Sequence, residues 1–214
     1  LIIEWEKPVK AVLDYFHLTD ITLVGESLGG FYAPRASAFD DRIQRCVSIA
    51  QFPSLKQNFT NYGFTSWLIV VLLDVILYGF GWLINILYKV KKGKGMDFFK
   101  TYFHRMGTTN TYTLAKFLWR VDLRPLSDRL TKDYLIIGGS KDTMASRASI
   151  GKQMFLLKKA KSITAREITM QEKGADHCNC GNQQVAMDMI DLWIQGLKRR
   201  DETLLRAKYH TYPE

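Results

Sequence analysis

The sequence predicts an α/β fold in which a mostly parallel sheet is flanked by helices. Short β-branched runs alternate with amphipathic segments, and two of these runs end at glycine. The length of 214 residues suits one core domain that carries a single large insertion. Apolar residues make up 47% of the chain and charged residues 24%, which excludes a disordered or collagen-like protein.

The first part of the predicted core holds two strands. Residues 5–16 place apolar side chains at helical spacing, and Pro8 is tolerated in a first turn. A buried strand is expected at 21–24, ending at Gly25, and a helix at 27–38. A second strand is expected at 45–50.

The second part repeats this alternation. A helix-compatible stretch runs from 96 to 120, and a third strand at 134–137 ends in two glycines. An amphipathic segment follows at 148–160, then a fourth strand at 163–170 and a final helix at 183–199. Strands alternating with helices indicate βαβ units and therefore parallel pairing.

A pentapeptide with the pattern G-x-S-x-G follows the first strand directly and opens a helix, at Gly25-Glu26-Ser27-Leu28-Gly29. We expect a sharp turn that needs small residues on both sides, because a Cβ there would collide with neighbouring backbone. The turn would lift the Ser27 hydroxyl above the carboxyl edge of the sheet as a nucleophile. The backbone N–H of Leu28 would face the oxygen of a bound acyl group. The alternative is a glycine-rich helix start that holds an anion.

A serine nucleophile needs a general base and an orienting carboxylate. Asp142 follows the third strand and His177 follows the fourth, so both are expected at the same sheet edge as Ser27. Asp176 is a weaker candidate for the orienting group, because adjacent side chains rarely face each other in the required way.

From residue 5 to residue 197 the chain resembles the α/β-hydrolase superfamily from its nucleophile strand onward. The stretches GESLGG at 25–30 and HCNCGN at 177–182 resemble the branch that holds 2,6-dihydroxypseudooxynicotine hydrolase and the fermentation-respiration-switch-like esterases. The resemblance implies that Ser27 is the nucleophile, Asp142 the acid and His177 the base. Some members cleave carbon–carbon bonds and carry an extra acidic residue where their cap begins. Residues 51–65 contain no Asp or Glu, which favours hydrolysis of an ester or related acyl bond. The apolar segment at 64–88 favours a small hydrophobic substrate.

Members of the superfamily place several strands before the nucleophile strand, and a loop among them donates the second oxyanion N–H. Only 24 residues precede Gly25. We therefore expect the chain to be the C-terminal part of a longer protein that supplies the N-terminal strands. The alternative is a set of strands from a partner chain.

The long connection between the second and third strands predicts a helical cap at 51–125, between core segments 1–50 and 126–214. Its segment 64–88 is the most apolar part of the chain, and three of its aromatic residues are expected to line a substrate pocket. The alternative for them is packing of the cap against the core. These residues are Trp67, Tyr78 and Trp82.

The same segment is long enough to cross a bilayer. A single crossing would separate Ser27 from Asp142 and His177, so a membrane span is disfavoured, and membrane-surface contact is kept as the lesser alternative. Asp74 and the glycines at 79 and 81 instead favour two shorter helices with a bend.

The net charge of +9 and the lysines at 89–94 are interpreted as solvated surface, so no nucleic-acid partner is expected. Three cysteines are too few for a disulfide framework, which is typical of a protein from a reducing compartment. A cytoplasmic location is therefore expected. Cys178 and Cys180 beside one histidine are too few for zinc and are interpreted as small buried thiols, so no metal and no cofactor are expected. A homodimer is left open.

Two other interpretations of the sequence compete with that of a serine hydrolase. The first is a non-catalytic protein that keeps the scaffold and binds a hydrophobic ligand or a partner protein. The second is a membrane-anchored protein.

Overall fold

The computed structural model describes residues 2–56, 68, 71–72, 74–79, 81–83, 86, 100–101 and 103–209. Within these ranges, four strands form one parallel sheet in which each strand pairs with the next along the chain. The strands are β1 (Ile21–Glu26), β2 (Ile43–Ile49), β3 (Asp133–Gly139) and β4 (Ser162–Ile168). The predicted α/β class with a mostly parallel sheet is confirmed.

Helices cover both faces of this sheet. The α-helices that are described over their whole length are α1 (Glu6–Tyr15), α2 (Gly29–Ser37), α3 (Thr111–Arg120), α4 (Arg147–Leu156) and α5 (Gln183–Tyr209). Further helical residues occur at 71–72, 81–83, 100–101 and 103–106. Short 3-10 helices occur at Arg124–Arg129, Met170–Glu172 and His177–Asn179, and a π-helical turn occurs at Val75–Gly79.

The core is organised around β3, all of whose residues are buried. Successive side chains of a strand point to opposite faces. Leu135 and Ile137 therefore pack in the cluster that contains Trp193 of α5. Tyr134 and Ile136 pack on the other face, with Ala33 of α2.

At the other side of the sheet, β1 is an edge strand that pairs only with β2 among the described residues. Val24 of β1 remains 44% exposed. Helix α1 nevertheless packs on this part of the core, because Leu13 is buried against Ala36 and Ile43. The ring of Trp5 also stacks on that of Tyr32, with centroids 5.0 Å apart.

Three helices differ clearly from the predicted ranges. Helix α4 ends at Leu156, four residues before the predicted end. The predicted helix at 96–120 is interrupted, because residues 103–106 are helical, Gly107 has a φ of 62°, and α3 begins at Thr111, where Oδ1 of Asn110 accepts the N–H of Tyr112 at 2.9 Å. Helix α5 runs ten residues past the predicted end at 199, and its extension is held by Arg200, which donates to both carboxylate oxygens of Asp133 at 2.7 and 2.9 Å.

In the predicted cap region, the carboxylate of Asp74 binds two other side chains. It pairs with Nζ of Lys56 at 2.8 Å and accepts the indole N–H of Trp119. Across the described ranges, no helix combines the length and the apolar character that crossing a membrane requires. The lysines at 89–94 lie outside the described residues. The division of the chain at 50 and 125 remains a prediction.

Candidate active site

Ser27 lies in a sharp turn between β1 and α2. Its φ of 55° falls in the left-handed region, which costs a non-glycine residue roughly 1–3 kcal/mol and persists only where the surroundings enforce it. The turn is held from both sides. The N–H of Ser27 donates to the carbonyl of Ile49 at 2.9 Å, and its carbonyl accepts the N–H of Gly30 at 2.9 Å.

Gly25 is required by this turn, because a Cβ there would lie 1.9 Å from the carbonyl oxygen of Gly29. The sequence also predicted that the turn requires a small residue at position 29. This prediction was wrong, since a Cβ at Gly29 would meet nothing within 4 Å. This crowding arises where the first turn of α2 crosses over the strand, so of Gly25 and Gly29 it affects only the strand residue. Gly30 is the second crowded position, where a Cβ would lie 2.6 Å from Cβ of Gln51.

The carboxylate of Asp142 is fully buried and hydrogen-bonded on both oxygens. Its Oδ1 accepts the backbone N–H groups of Met144 and Ala145, each at 2.8 Å. Its Oδ2 lies 2.8 Å from Nδ1 of His177. The loop after β3 therefore fixes the direction in which the carboxylate faces the imidazole.

The other ring nitrogen of His177, Nε2, lies 2.9 Å from Oγ of Ser27. The structure thus brings together three side chains that the sequence places after three different strands. Asp176, the weaker alternative, is exposed and makes no side-chain capping bond. The turn that carries His177 is anchored by buried Asn179, whose Nδ2 donates to the carbonyl of Gly174 at 2.7 Å.

Cys178 was not predicted to take part in the site, yet its thiol contacts the hydroxyl of Ser27. Burial, together with the charge of Glu26, raises the pKa of this thiol to about 12. It therefore stays protonated at neutral pH. The adjacency of Cys178 to His177 was the only sequence signal for this contact. The prediction of two buried thiols was wrong, because Cys180 is exposed and Cys178 is only partly buried.

The backbone N–H of Leu28 lies at the start of α2 and has no acceptor among the described residues. N–H groups at a helix start attract negative charge. This is the group expected to face an acyl oxygen, and that role stays a prediction.

The sequence also predicted three aromatic cap residues as lining of a substrate pocket. Trp67 lies outside the described residues, Tyr78 falls in the π-helical turn, and the side chain of Trp82 is 60% exposed. Their part in a substrate pocket stays a prediction. No cluster of three or more His, Cys, Asp or Glu side chains suited to a metal ion occurs within the described ranges.

No protein-family model and no curated protein matches this sequence. Solved structures do match. An alpha/beta fold family hydrolase from Bacillus anthracis is 10% identical, with a TM-score of 0.52, and the match covers 86% of this chain and 70% of that one. Est816, described as an N-acyl homoserine lactone degrading enzyme, is 14% identical, with a TM-score of 0.52 and coverage of 89% and 72%.

The 2,6-dihydroxy-pseudo-oxynicotine hydrolase is also matched, at 18% identity and a TM-score of 0.49. The match covers 88% of this chain, which spans only 45% of that protein. The chain has the α/β-hydrolase fold, and the resemblance inferred from the two sequence motifs is confirmed at that level.

Proposed function

We propose that this protein is a serine hydrolase that cleaves an ester or related acyl bond of a small hydrophobic substrate through an acyl-enzyme. The observation that carries the proposal is the continuous chain of contacts from Oγ of Ser27 through both nitrogens of His177 to Asp142. The hydrolase names of the structural neighbours agree with this reaction class.

In the first step, Oγ of Ser27 attacks the carbonyl carbon of the substrate while Nε2 of His177 takes the hydroxyl proton. Asp142 accepts a hydrogen bond from Nδ1–H, which leaves Nε2 free as the base and stabilises the imidazolium that forms. His177 then gives the proton to the leaving group as the bond from carbon to that group breaks.

In the second step, water attacks the acyl carbon. His177 removes one proton from this water and returns it to Oγ of Ser27 as the acyl–serine bond breaks. The products are the carboxylic acid and free enzyme. No cofactor takes part in this sequence.

The negative oxygen of each tetrahedral intermediate needs hydrogen-bond donors. Leu28 supplies one through its backbone N–H. Losing one such donor costs roughly 2.7–4 kcal/mol of transition-state stabilisation. We assign the second donor to a segment that lies along the edge of β1 left unpaired among the described residues.

A fluorophosphonate probe tests the proposal, because it labels only an activated serine. The intact protein should be labelled, and Ser27→Ala should abolish labelling. Ser140→Ala is the matched control, since Ser140 also follows a strand but does not contact His177 in the described structure, and it should label normally. Absence of labelling in the intact protein would favour the non-catalytic, ligand-binding alternative.

A further inference from the structure

A groove of about 670 Å³ lies between the 3-10 helix Arg124–Arg129 and helix α4. Its volume falls within the range of roughly 300–1,000 Å³ that is typical of small-molecule sites. Pro53 and Leu156 supply apolar lining. None of the three residues proposed for catalysis lines this groove.

The charged lining of the groove is mainly basic, with Arg124, Lys152 and Lys158 against Asp128. The carboxylate of Asp128 is already paired with Lys159, 3.2 Å away. By contrast, no carboxylate in the described part of the chain lies within ion-pair distance of Lys152 or Lys158. The groove therefore holds two positive charges that no carboxylate of the described residues neutralises.

An aromatic ring stands beside these charges. The side chain of Phe155 is 73% exposed, and Nζ of Lys158 lies 4.6 Å from the centre of its ring. Lys152 precedes Phe155 by three residues on α4, so the two share one face of the helix. Lys152 is itself only partly exposed, which makes its unpaired charge more costly than that of a fully solvated lysine.

We propose that this groove binds an organic anion that carries a planar aromatic group. The anionic group would lie between Lys152 and Lys158, and the aromatic group would stack on Phe155 against the apolar lining. The proposal does not depend on the proposed hydrolase activity, since binding is measured without turnover.

Gly151 provides a way to fill the groove without disturbing the fold. It lines the groove inside α4, and a Cβ there would meet nothing within 4 Å. Gly196 in α5 is the matched control, because a Cβ there also meets nothing within 4 Å and the residue lies outside the groove. Replacing either glycine should favour the helix.

The experiment compares two probes on the intact protein by fluorescence titration: the aromatic sulfonate 8-anilino-1-naphthalenesulfonate and its uncharged analogue N-phenyl-1-naphthylamine. We expect the sulfonate to bind about tenfold more tightly, since a charge-assisted contact is worth about that much. Lys152→Gln and Gly151→Gln should each weaken sulfonate binding about tenfold, because one removes the charge and the other fills the space. Lys198→Gln and Gly196→Gln should leave it unchanged.

Equal affinity for the two probes would overturn the proposal, because the charge would then play no part. Unchanged sulfonate binding by Gly151→Gln would also overturn it, because the probe would then bind elsewhere. Loss of fluorophosphonate labelling, in contrast, would bear only on the proposed catalytic function.

Discussion

The imidazole Nδ1 of His177 lies 2.8 Å from Oδ2 of Asp142, and the second oxygen of that carboxylate is held by two backbone N–H groups. The carboxylate has no solvent exposure, so it cannot turn toward water. The backbone of the loop after β3 thus sets the tautomer of a ring that lies 35 residues further along the chain.

This relationship predicts the effect of Asp142→Asn. The backbone N–H groups at Met144 and Ala145 must keep an oxygen acceptor, so the amide NH₂ will face His177. Nδ1 must then accept, which places the ring proton on Nε2, where it cannot take the proton of Ser27. We expect kcat for p-nitrophenyl acetate to fall by roughly 10⁴.

Asp176→Asn is the control for this substitution, because Asp176 is adjacent to His177 and exposed. It should leave kcat unchanged. An equal loss in both variants would contradict the assignment of Asp142 as the orienting group.

Replacing each of two glycines in the turn at Ser27 by alanine should have opposite effects on the unfolding free energy. Gly25→Ala would place a Cβ 1.9 Å from the carbonyl oxygen of Gly29, and a backbone atom cannot move aside as a flexible side chain does. We expect a loss of at least roughly 1–3 kcal/mol in unfolding free energy and a loss of fluorophosphonate labelling. Gly29→Ala meets no atom and should be neutral or stabilise the helix by roughly 0.5–1 kcal/mol. Urea unfolding of both variants measures this difference, and equal stabilities would refute the clash.

The arrangement of the site could be predicted because parallel strands bring their carboxyl ends to one edge of the sheet. Ser27, Asp142 and His177 each follow a recognisable strand, so their convergence depended only on strand order. The contact of Cys178 with Ser27 could not be predicted, because it depends on the left-handed φ of 57° at Cys178 within a short irregular turn. The extension of α5 also depends on a distant contact, between Arg200 and Asp133, that helix periodicity does not reveal.

The three cysteines should differ sharply in reactivity. Only the thiolate is nucleophilic, and burial raises the pKa of both Cys46 and Cys178, the latter to about 12. At pH 8 the Cys178 thiol is therefore almost entirely protonated. Iodoacetamide should therefore modify exposed Cys180 first, as measured by mass spectrometry of the peptides. All three should react in urea, whereas Cys178 reacting as fast as Cys180 in the folded protein would contradict the buried environment.

The ion pair between Asp133 and Arg200 should make stability depend on pH. Burial alone would raise the pKa of Asp133, but hydrogen bonds from Arg200 and Ser162 outweigh it and hold that pKa below its ordinary value. A lowered pKa in the folded state stabilises the fold above the unfolded pKa of about 3.9, and this contribution is lost as pH falls through the folded value.

Arg200→Met should consequently lower the unfolding free energy by about 2 kcal/mol at pH 7, the size of a hydrogen-bonded charge contact, because Arg200 is partly exposed and Lys161 remains 3.7 Å from Asp133. The gap to wild type should narrow as the pH falls below about 4. Urea unfolding at several pH values measures both effects. Arg199→Met is the control, because the Arg199 side chain is exposed and makes no ion pair in the described structure. A gap that does not change with pH would show that Asp133 is not the titrating partner.

The edge of β1 that is unpaired among the described residues predicts self-association of the protein. Such an edge offers a row of backbone hydrogen-bonding groups to a second copy. Val24→Lys should reduce light scattering of the protein, since a lysine on an edge strand blocks pairing. Equal scattering by the two proteins at the same concentration would show that this edge does not drive self-association.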